Sequence, residues 1–292
     1  MSSRTRRLSL ATEAQEHDQR QRELWRRGAQ GWERRQASLR KKTTAVSQWL
    51  VDAIDPQPGQ RILEVAAGPG ETGFIAARRI GLEGRLLCTD QAPEMIEVAR
   101  RRARELELNN VDFAVIDAQE LELEPGSFDA AVCRWGFMLM GDPNEAMRRT
   151  RLSLRDGGRL AVATWDRPDR NLWMAAPAMA LVAQGVIPPP NPSDPSPFAL
   201  HDPADLERRL RSAGFASVHT DRIEFPQRYP SFDEYWAESL DCGAPIAVAV
   251  AGLQPAQAEA VRSATRETLS RFITADGHFD IPASTVVAVA VA

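Results

Sequence analysis

Residues 62–73 read I-L-E-V-A-A-G-P-G-E-T-G, and this stretch constrains the chain more than any other. A short apolar run ends in a glycine-rich turn, and a helical pattern follows at once. A strand in a parallel sheet delivers its backbone to a nucleotide in this way. Gly68 and Gly70 allow a tight turn and close ligand approach, and Gly73 lets the next helix lie near the strand. The same letters also describe a strand-turn-helix that binds nothing.

Two cofactor classes fit the turn. One is a dinucleotide, whose pyrophosphate rests on a helix N-terminus. The other is S-adenosylmethionine, which has no phosphate and carries a sulfonium and an ammonium. Glu64, on the last turn of the strand, separates them, because a carboxylate there repels a pyrophosphate and suits a cation.

The rest of the chain predicts an α/β fold: a Rossmann-like, seven-stranded, mostly parallel sheet with helices on both faces, an N-terminal helical arm and an inserted helical cap. Residues 1–55 read as the arm or lid, with Leu24, Trp25 and Trp32 as apolar interruptions, Trp25 and Trp32 as its anchors, and Gly28 and Gly31 dividing it into two pieces. Residues 56–166 read as the cofactor-binding core. Its strands are expected at 61–66, 85–89, 111–116, 128–133 and 159–165, and its fourth helix at 142–154, ended by Gly157 and Gly158. Residues 167–201 are proline-rich and read as a cap insertion. Residues 202–292 complete the core, with strands at 217–225 and 285–291 around a helical insertion at 231–273.

At 292 residues the chain suits one such domain with additions. Its net charge of -4 speaks against bulk attraction to nucleic acid. Cys88, Cys133 and Cys242 are isolated, which argues for a reducing, cytoplasmic setting and against a zinc site. No apolar run approaches a membrane span. Monomer and homodimer both remain open.

Parallel crossovers bring the C-terminal strand ends to one rim, and Glu64, Asp90, Asp117 and Asp142 fall there. Asp90 follows Gly70 at the separation where a carboxylate meets ribose hydroxyls. Asp117 with Ala118 ends the third strand, where an adenine is expected, and Met95 is placed to cover its face. An acid at a strand end also caps helices, so each alone has a plainer reading.

Taken together, these pieces resemble the core of a class I S-adenosylmethionine-dependent methyltransferase, of the type that methylates quinone precursors and natural products. The matching pieces are E-V-A-A-G-P-G-E-T-G, C-T-D-Q-A-P-E-M-I-E-V-A-R, V-I-D-A-Q-E-L, S-F-D-A-A-V-C-R-W-G-F-M-L-M and L-R-D-G-G-R-L-A-V-A-T-W. The resemblance implies that Glu64 and the Ala66, Ala67, Gly68 and Gly70 backbone hold the methionine end of the cofactor. It further implies Asp90 and Gln91 on the ribose, Asp117 and Ala118 on the adenine, and Arg134 and Trp135 beside the sulfonium. The chain departs from the family in two ways: Ala66 replaces a common glycine, and a helical insertion separates the last two strands.

The implied reaction is methyl transfer to a small acceptor at oxygen, nitrogen or carbon, with alignment as the main catalytic effect. Trp25, Trp32, Met138 and Trp173 are candidates to line an apolar or aromatic acceptor site. His201 is the one histidine placed to act as a base, although a loop histidine is the plainer reading. The alternatives are a nicotinamide-dependent oxidoreductase, for which no tyrosine-lysine partner is present, and a cofactor-binding protein without catalysis.

Overall fold

The computed structural model describes residues 3–191 and 194–292, without the side chains of 3–22, 24–27 and 29. Among the described residues, seven strands form one sheet. They are β1 (Arg61–Val65), β2 (Arg85–Asp90), β3 (Val111–Val115), β4 (Phe128–Arg134), β5 (Leu154–Trp165), β6 (Ser217–Tyr229) and β7 (Phe279–Val291). Their order is β3-β2-β1-β4-β5-β7-β6. The first five are parallel, and β7 runs antiparallel to both β5 and β6. The central strands are buried on both faces, as Leu63, Ala131, Val132, Leu160, Ala161 and Val162 at 0% exposure show. That burial is why they read as nearly continuous apolar runs.

Helices α1 (Ser3–Ile54), α2 (Glu71–Ile80) and α3 (Pro93–Glu105) pack together on one face. Helices α4 (Pro143–Ser153) and α6 (Pro203–Ser212) pack together on the other. Three of them start on a recognisable signal. Pro93 opens α3. Asp142 caps α4 by accepting from the Asn144 and Glu145 amides at 3.1 and 3.0 Å, and Asp202 caps α6 through the Ala204 amide at 3.0 Å.

The remaining helices, α5 (Leu172–Ala183), α7 (Phe232–Cys242), α8 (Ala244–Ala251) and α9 (Pro255–Leu269), stand beyond the strand ends. The register explains how. Pairing of β5 with β7 stops at Trp165↔Thr285, whereas β6 and β7 stay paired as far as Tyr229↔Phe279. A two-stranded ribbon therefore projects past the rim and carries α7–α9, with α5 packed on α9 and α1 on α7. So the last two strands remain full partners despite the insertion between them.

The structure corrects three sequence expectations. The arm is one helix, and Gly28 and Gly31 do not divide it. Gly31 serves contact instead: a Cβ there would collide with the Asp241 carbonyl oxygen at the end of α7. Strand β5 begins at Leu154, because Gly157 and Gly158 form part of it and exchange backbone hydrogen bonds with Ala292 at 2.9 and 2.8 Å. Strands β6 and β7 run beyond their expected inner ends, since pairing within the ribbon continues where the sheet stops.

The close crossing at Gly31 predicts that Gly31→Ala overpacks the α1–α7 contact. Urea unfolding should show a loss of roughly 1–3 kcal/mol. An unchanged midpoint would contradict the crossing.

Candidate functional site

The glycine-rich turn leaves β1 through left-handed backbone at Ala66 (φ 52°), Gly68 (φ 52°) and Gly70 (φ 80°). Ala66 thus occupies a conformation that favours glycine, at a cost of about 1 kcal/mol. Trp135, at the end of the neighbouring β4, is also left-handed (φ 58°). Gly136 beside it leaves no room for a side chain, since a Cβ would stand 2.6 Å from that of Ala66. Strained residues at the ends of adjacent strands are a mark of functional loops.

Glu64 lies under this turn and is only 3% exposed. Its Oε1 accepts from the Gly73 amide at 2.8 Å, and the Cys88 thiol donates to its Oε2 at 3.2 Å. A Cβ on Gly73 would strike that carboxylate, so glycine there serves the carboxylate as well as the strand. Burial raises the Glu64 carboxyl from 4.5 to about 7, against the hydrogen bonds from Gly73 and Cys88 and the attraction of Arg134.

Asp90 holds the turn from the side. Its Oδ2 accepts from the Gly68 amide at 2.8 Å and its Oδ1 from the Ala92 amide at 2.9 Å. Burial raises its pKa, opposed by those two bonds and reinforced by repulsion from Asp117. Asp117 ends the neighbouring strand, where its Oδ1 accepts from the Gln119 amide at 2.9 Å. Gln91 is half-buried, and Ala118 and Met95 are buried. The rim therefore brings together Glu64, the Ala66–Gly70 turn, Asp90, Gln91, Met95, Asp117 and Ala118. Space beside Gly68 is open, with nothing within 4 Å of where a Cβ would stand. In the first turn of α3, the Oε2 atom of Glu94 is buried without a hydrogen-bond partner. An open glycine face and acceptors with spare capacity fit a ligand rich in N–H and O–H donors and positively charged.

Helix α1 lies over the rim. Its Trp32 packs on Ala92 and Met95 and donates to the Cys242 carbonyl at 3.2 Å. Its Thr43 and Ser47 hydroxyls accept from Arg134 Nη1, each at 2.9 Å. Its Lys42 pairs with Glu238 of α7 at 2.6 Å, with both side chains under a tenth exposed. Glu238 also accepts from Ser38 at 2.7 Å and from the Tyr229 hydroxyl at 3.1 Å. Burial lowers the Lys42 pKa against the pull of Glu238. The sequence reading missed Lys42, Tyr229, Glu238 and Arg102. Arg102 reaches the Pro69 carbonyl of the turn and pairs with Glu71 at 2.7 Å. Its available signal was its place on the inward stripe of α3, four residues after Val98.

On the other side of the rim, Trp135 stacks on Trp165 with centroids 4.1 Å apart and donates to Thr285 Oγ1 at 3.0 Å. Trp173 meets Trp165 edge-on at 5.2 Å. Met138 is packed beneath, 2% exposed, with its sulfur 3.5 Å from the Trp165 amide. His201 precedes α6, with Nδ1 2.7 Å from the Phe198 carbonyl, to which its N–H donates. The Trp25 side chain lies outside the described residues. Among the described residues, no group of three His, Cys, Asp or Glu side chains is placed to hold a metal ion, and no helix is long and apolar enough to cross a membrane.

A methyltransferase-domain family model matches residues 56–187. The aklanonic acid methyltransferase of Streptomyces sp. (strain C5) is 35% identical over 118 residues, covering 40% of this chain and 54% of that protein. The nocamycin O-methyltransferase of Saccharothrix syringae is 29% identical over 197 residues, covering 64% and 70%. The likeness is thus to methyltransferases, and the family match falls on the residues that build the rim. The YcgJ protein of Bacillus subtilis has the same fold, with a TM-score of 0.55 at 16% identity, covering 84% of this chain and 97% of that chain. The chain spans about a third to a half of the length of several curated relatives it matches.

Between pH 4.5 and about 7, folded Glu64 keeps a proton that the unfolded chain has lost. Its contribution therefore makes stability fall as pH rises through that window, and adds no further slope above it. Glu64→Gln should remove up to roughly 3 kcal/mol of that pH-dependent loss. Parallel unfolding curves for both proteins across the window would contradict the assignment.

Proposed function

We propose that the chain is a class I S-adenosylmethionine-dependent methyltransferase that moves the methyl group of that cofactor to a small, apolar or aromatic acceptor, at oxygen, nitrogen or carbon. The observation that carries the reading is the pair Asp90 and Asp117 on adjacent strand ends beside the open face of Gly68. In this reading Asp90 and Gln91 hold the ribose, and Asp117 and Ala118 hold the adenine, with Met95 against its face. The Ala66–Gly70 backbone receives the methionine end, while Glu64 keeps the turn in place and supplies negative potential from below. Arg134 and Trp135 wall the reacting end.

When bound, the cofactor supplies a methyl group already activated for in-line displacement. The chain's own work is then alignment and exclusion of water. Residues 1–55 act as a lid, and residues 167–201 and 231–273 as a cap. Trp32, Trp173 and Met138, with Trp165, bound the acceptor side, and Trp25 is a further candidate. His201 Nε2 is the candidate to take an acceptor proton where the acceptor does not ionise by itself. The relatives named for aklanonic acid and nocamycin support a small acceptor and a place in secondary metabolism. The isolated cysteines support a cytoplasmic setting.

Asp90→Ala should weaken S-adenosylhomocysteine binding by about 2 kcal/mol, the scale of lost charge-assisted hydrogen bonds. Calorimetry reads this directly, and equal affinity would contradict the ribose assignment. Incubation with methyl-labelled cofactor and a panel of phenols, amines and carboxylic acids should label at least one acceptor. Absence of label, with thermal stabilisation by NADH and not by S-adenosylhomocysteine, would replace the reading with an oxidoreductase.

A further inference from the structure

Arg134 ends β4 at the rim, and its charge is the least accounted for there. One nitrogen, Nη1, is used, and both its acceptors are neutral hydroxyls, those of Thr43 and Ser47 at 2.9 Å. The guanidinium lies 4.8 Å from the Trp135 ring centroid. Among the described residues, no carboxylate forms an ion pair with it. The acids that attract it are Glu71 and Glu64, and both are engaged elsewhere. Glu71 pairs with Arg102 at 2.7 Å, and Glu64 accepts from Gly73 and Cys88. Arg102, the other arginine enclosed at this rim, thus has its carboxylate, and Arg134 does not.

A guanidinium carries five donors in a rigid fork that matches a carboxylate two bonds at a time. Burying it against neutral hydroxyls alone leaves most of that capacity unused, and the attraction of Glu71 and Glu64 acts on it without a hydrogen bond. Direct contact with a sulfonium would be repulsive. The donor set fits an anion.

We infer that Arg134 is a carboxylate-binding residue of the crevice, its unused donors taking the carboxylate of a bound small molecule while Nη1 stays on α1. The inference rests on the methyltransferase reading. Two molecules carry such a group into the crevice: the cofactor, through its aminoacyl end, and an acidic acceptor. Because Thr43 and Ser47 belong to α1, a carboxylate held here also ties the ligand to the helix that covers it. Arg134 is in that sense a positioning residue for the lid.

The test compares wild type, Arg134→Gln and Arg134→Lys by calorimetry with two nucleosides. S-adenosylhomocysteine has the aminoacyl carboxylate, and 5′-methylthioadenosine has the same adenosine and sulfur without it. Benzoate, added to protein saturated with S-adenosylhomocysteine, probes the acceptor side by thermal shift. If the carboxylate is the cofactor's, Arg134→Gln binds S-adenosylhomocysteine about thirtyfold more weakly, keeps its affinity for methylthioadenosine, and Arg134→Lys falls between. If it is the acceptor's, both nucleosides bind as in wild type, and benzoate stabilises wild type but not Arg134→Gln. The inference is overturned if both nucleosides weaken equally, or if neither changes and benzoate treats the proteins alike. Should Arg134→Gln not fold, the same comparisons with Arg134→Lys decide. Wild type that binds no S-adenosylhomocysteine would contradict the methyltransferase reading itself, a result separate from all of these.

Discussion

The bond from the Gly73 amide to the buried carboxylate of Glu64 is the interaction on which the rim depends. It joins the end of the central strand to the first turn of α2, and so fixes the angle at which the glycine-rich turn leaves the sheet. Among the described residues, the carboxylate has no ion-pair partner. An amide, a thiol and the field of Arg134 offset its burial, and the offset is incomplete, which is why its pKa rises. Asp90 repeats the device from the neighbouring strand by gripping Gly68 and Ala92. Two carboxylates therefore hold one turn by its backbone, from below and from the side. A turn held in this way tolerates left-handed backbone at Ala66, and its position is set before any ligand arrives.

Closure over the rim is built separately from the sheet. Helix α1 crosses from α3 to α7, and the β6–β7 ribbon lifts α7 to meet it. Lys42, Glu238, Ser38 and Tyr229 form the enclosed polar knot at that meeting. Such a pair gives little net stability, because desolvation offsets the attraction, but removing one partner strands the other at a cost of about 3–5 kcal/mol. The knot therefore fixes where α1 sits more than it strengthens the fold. The surface pairs of Arg34 and Arg35 with Asp241 add to the same register.

Much of this was legible in the sequence where the signal was local. The glycines, the strand ends at Asp90 and Asp117, Pro93 and the cap at Asp142 each act on their own neighbours, and the structure has them where spacing put them. Long-range partners were not legible. Gly31 looks like a helix breaker until the Asp241 carbonyl stands against it. Gly157 and Gly158 look like a helix stop until the C-terminal residue pairs beside them. Arg102, Lys42, Glu238 and Trp165 carry no motif, and their meaning comes only from what distant segments bring to them. Glu64 stands at the strand end where its place before the glycines puts it, but its carboxylate faces the underside of the turn, a direction that no linear pattern specifies.

The central claim is that this rim is the seat of an adenosyl group. A crystal structure with S-adenosylhomocysteine tests it most directly. The account predicts the ribose hydroxyls within about 3 Å of the Asp90 carboxylate, with the adenine toward Asp117 and Ala118 and α1 above. Density for the nucleoside elsewhere on the molecule, or an Asp90 carboxylate turned away from the ribose, would contradict it.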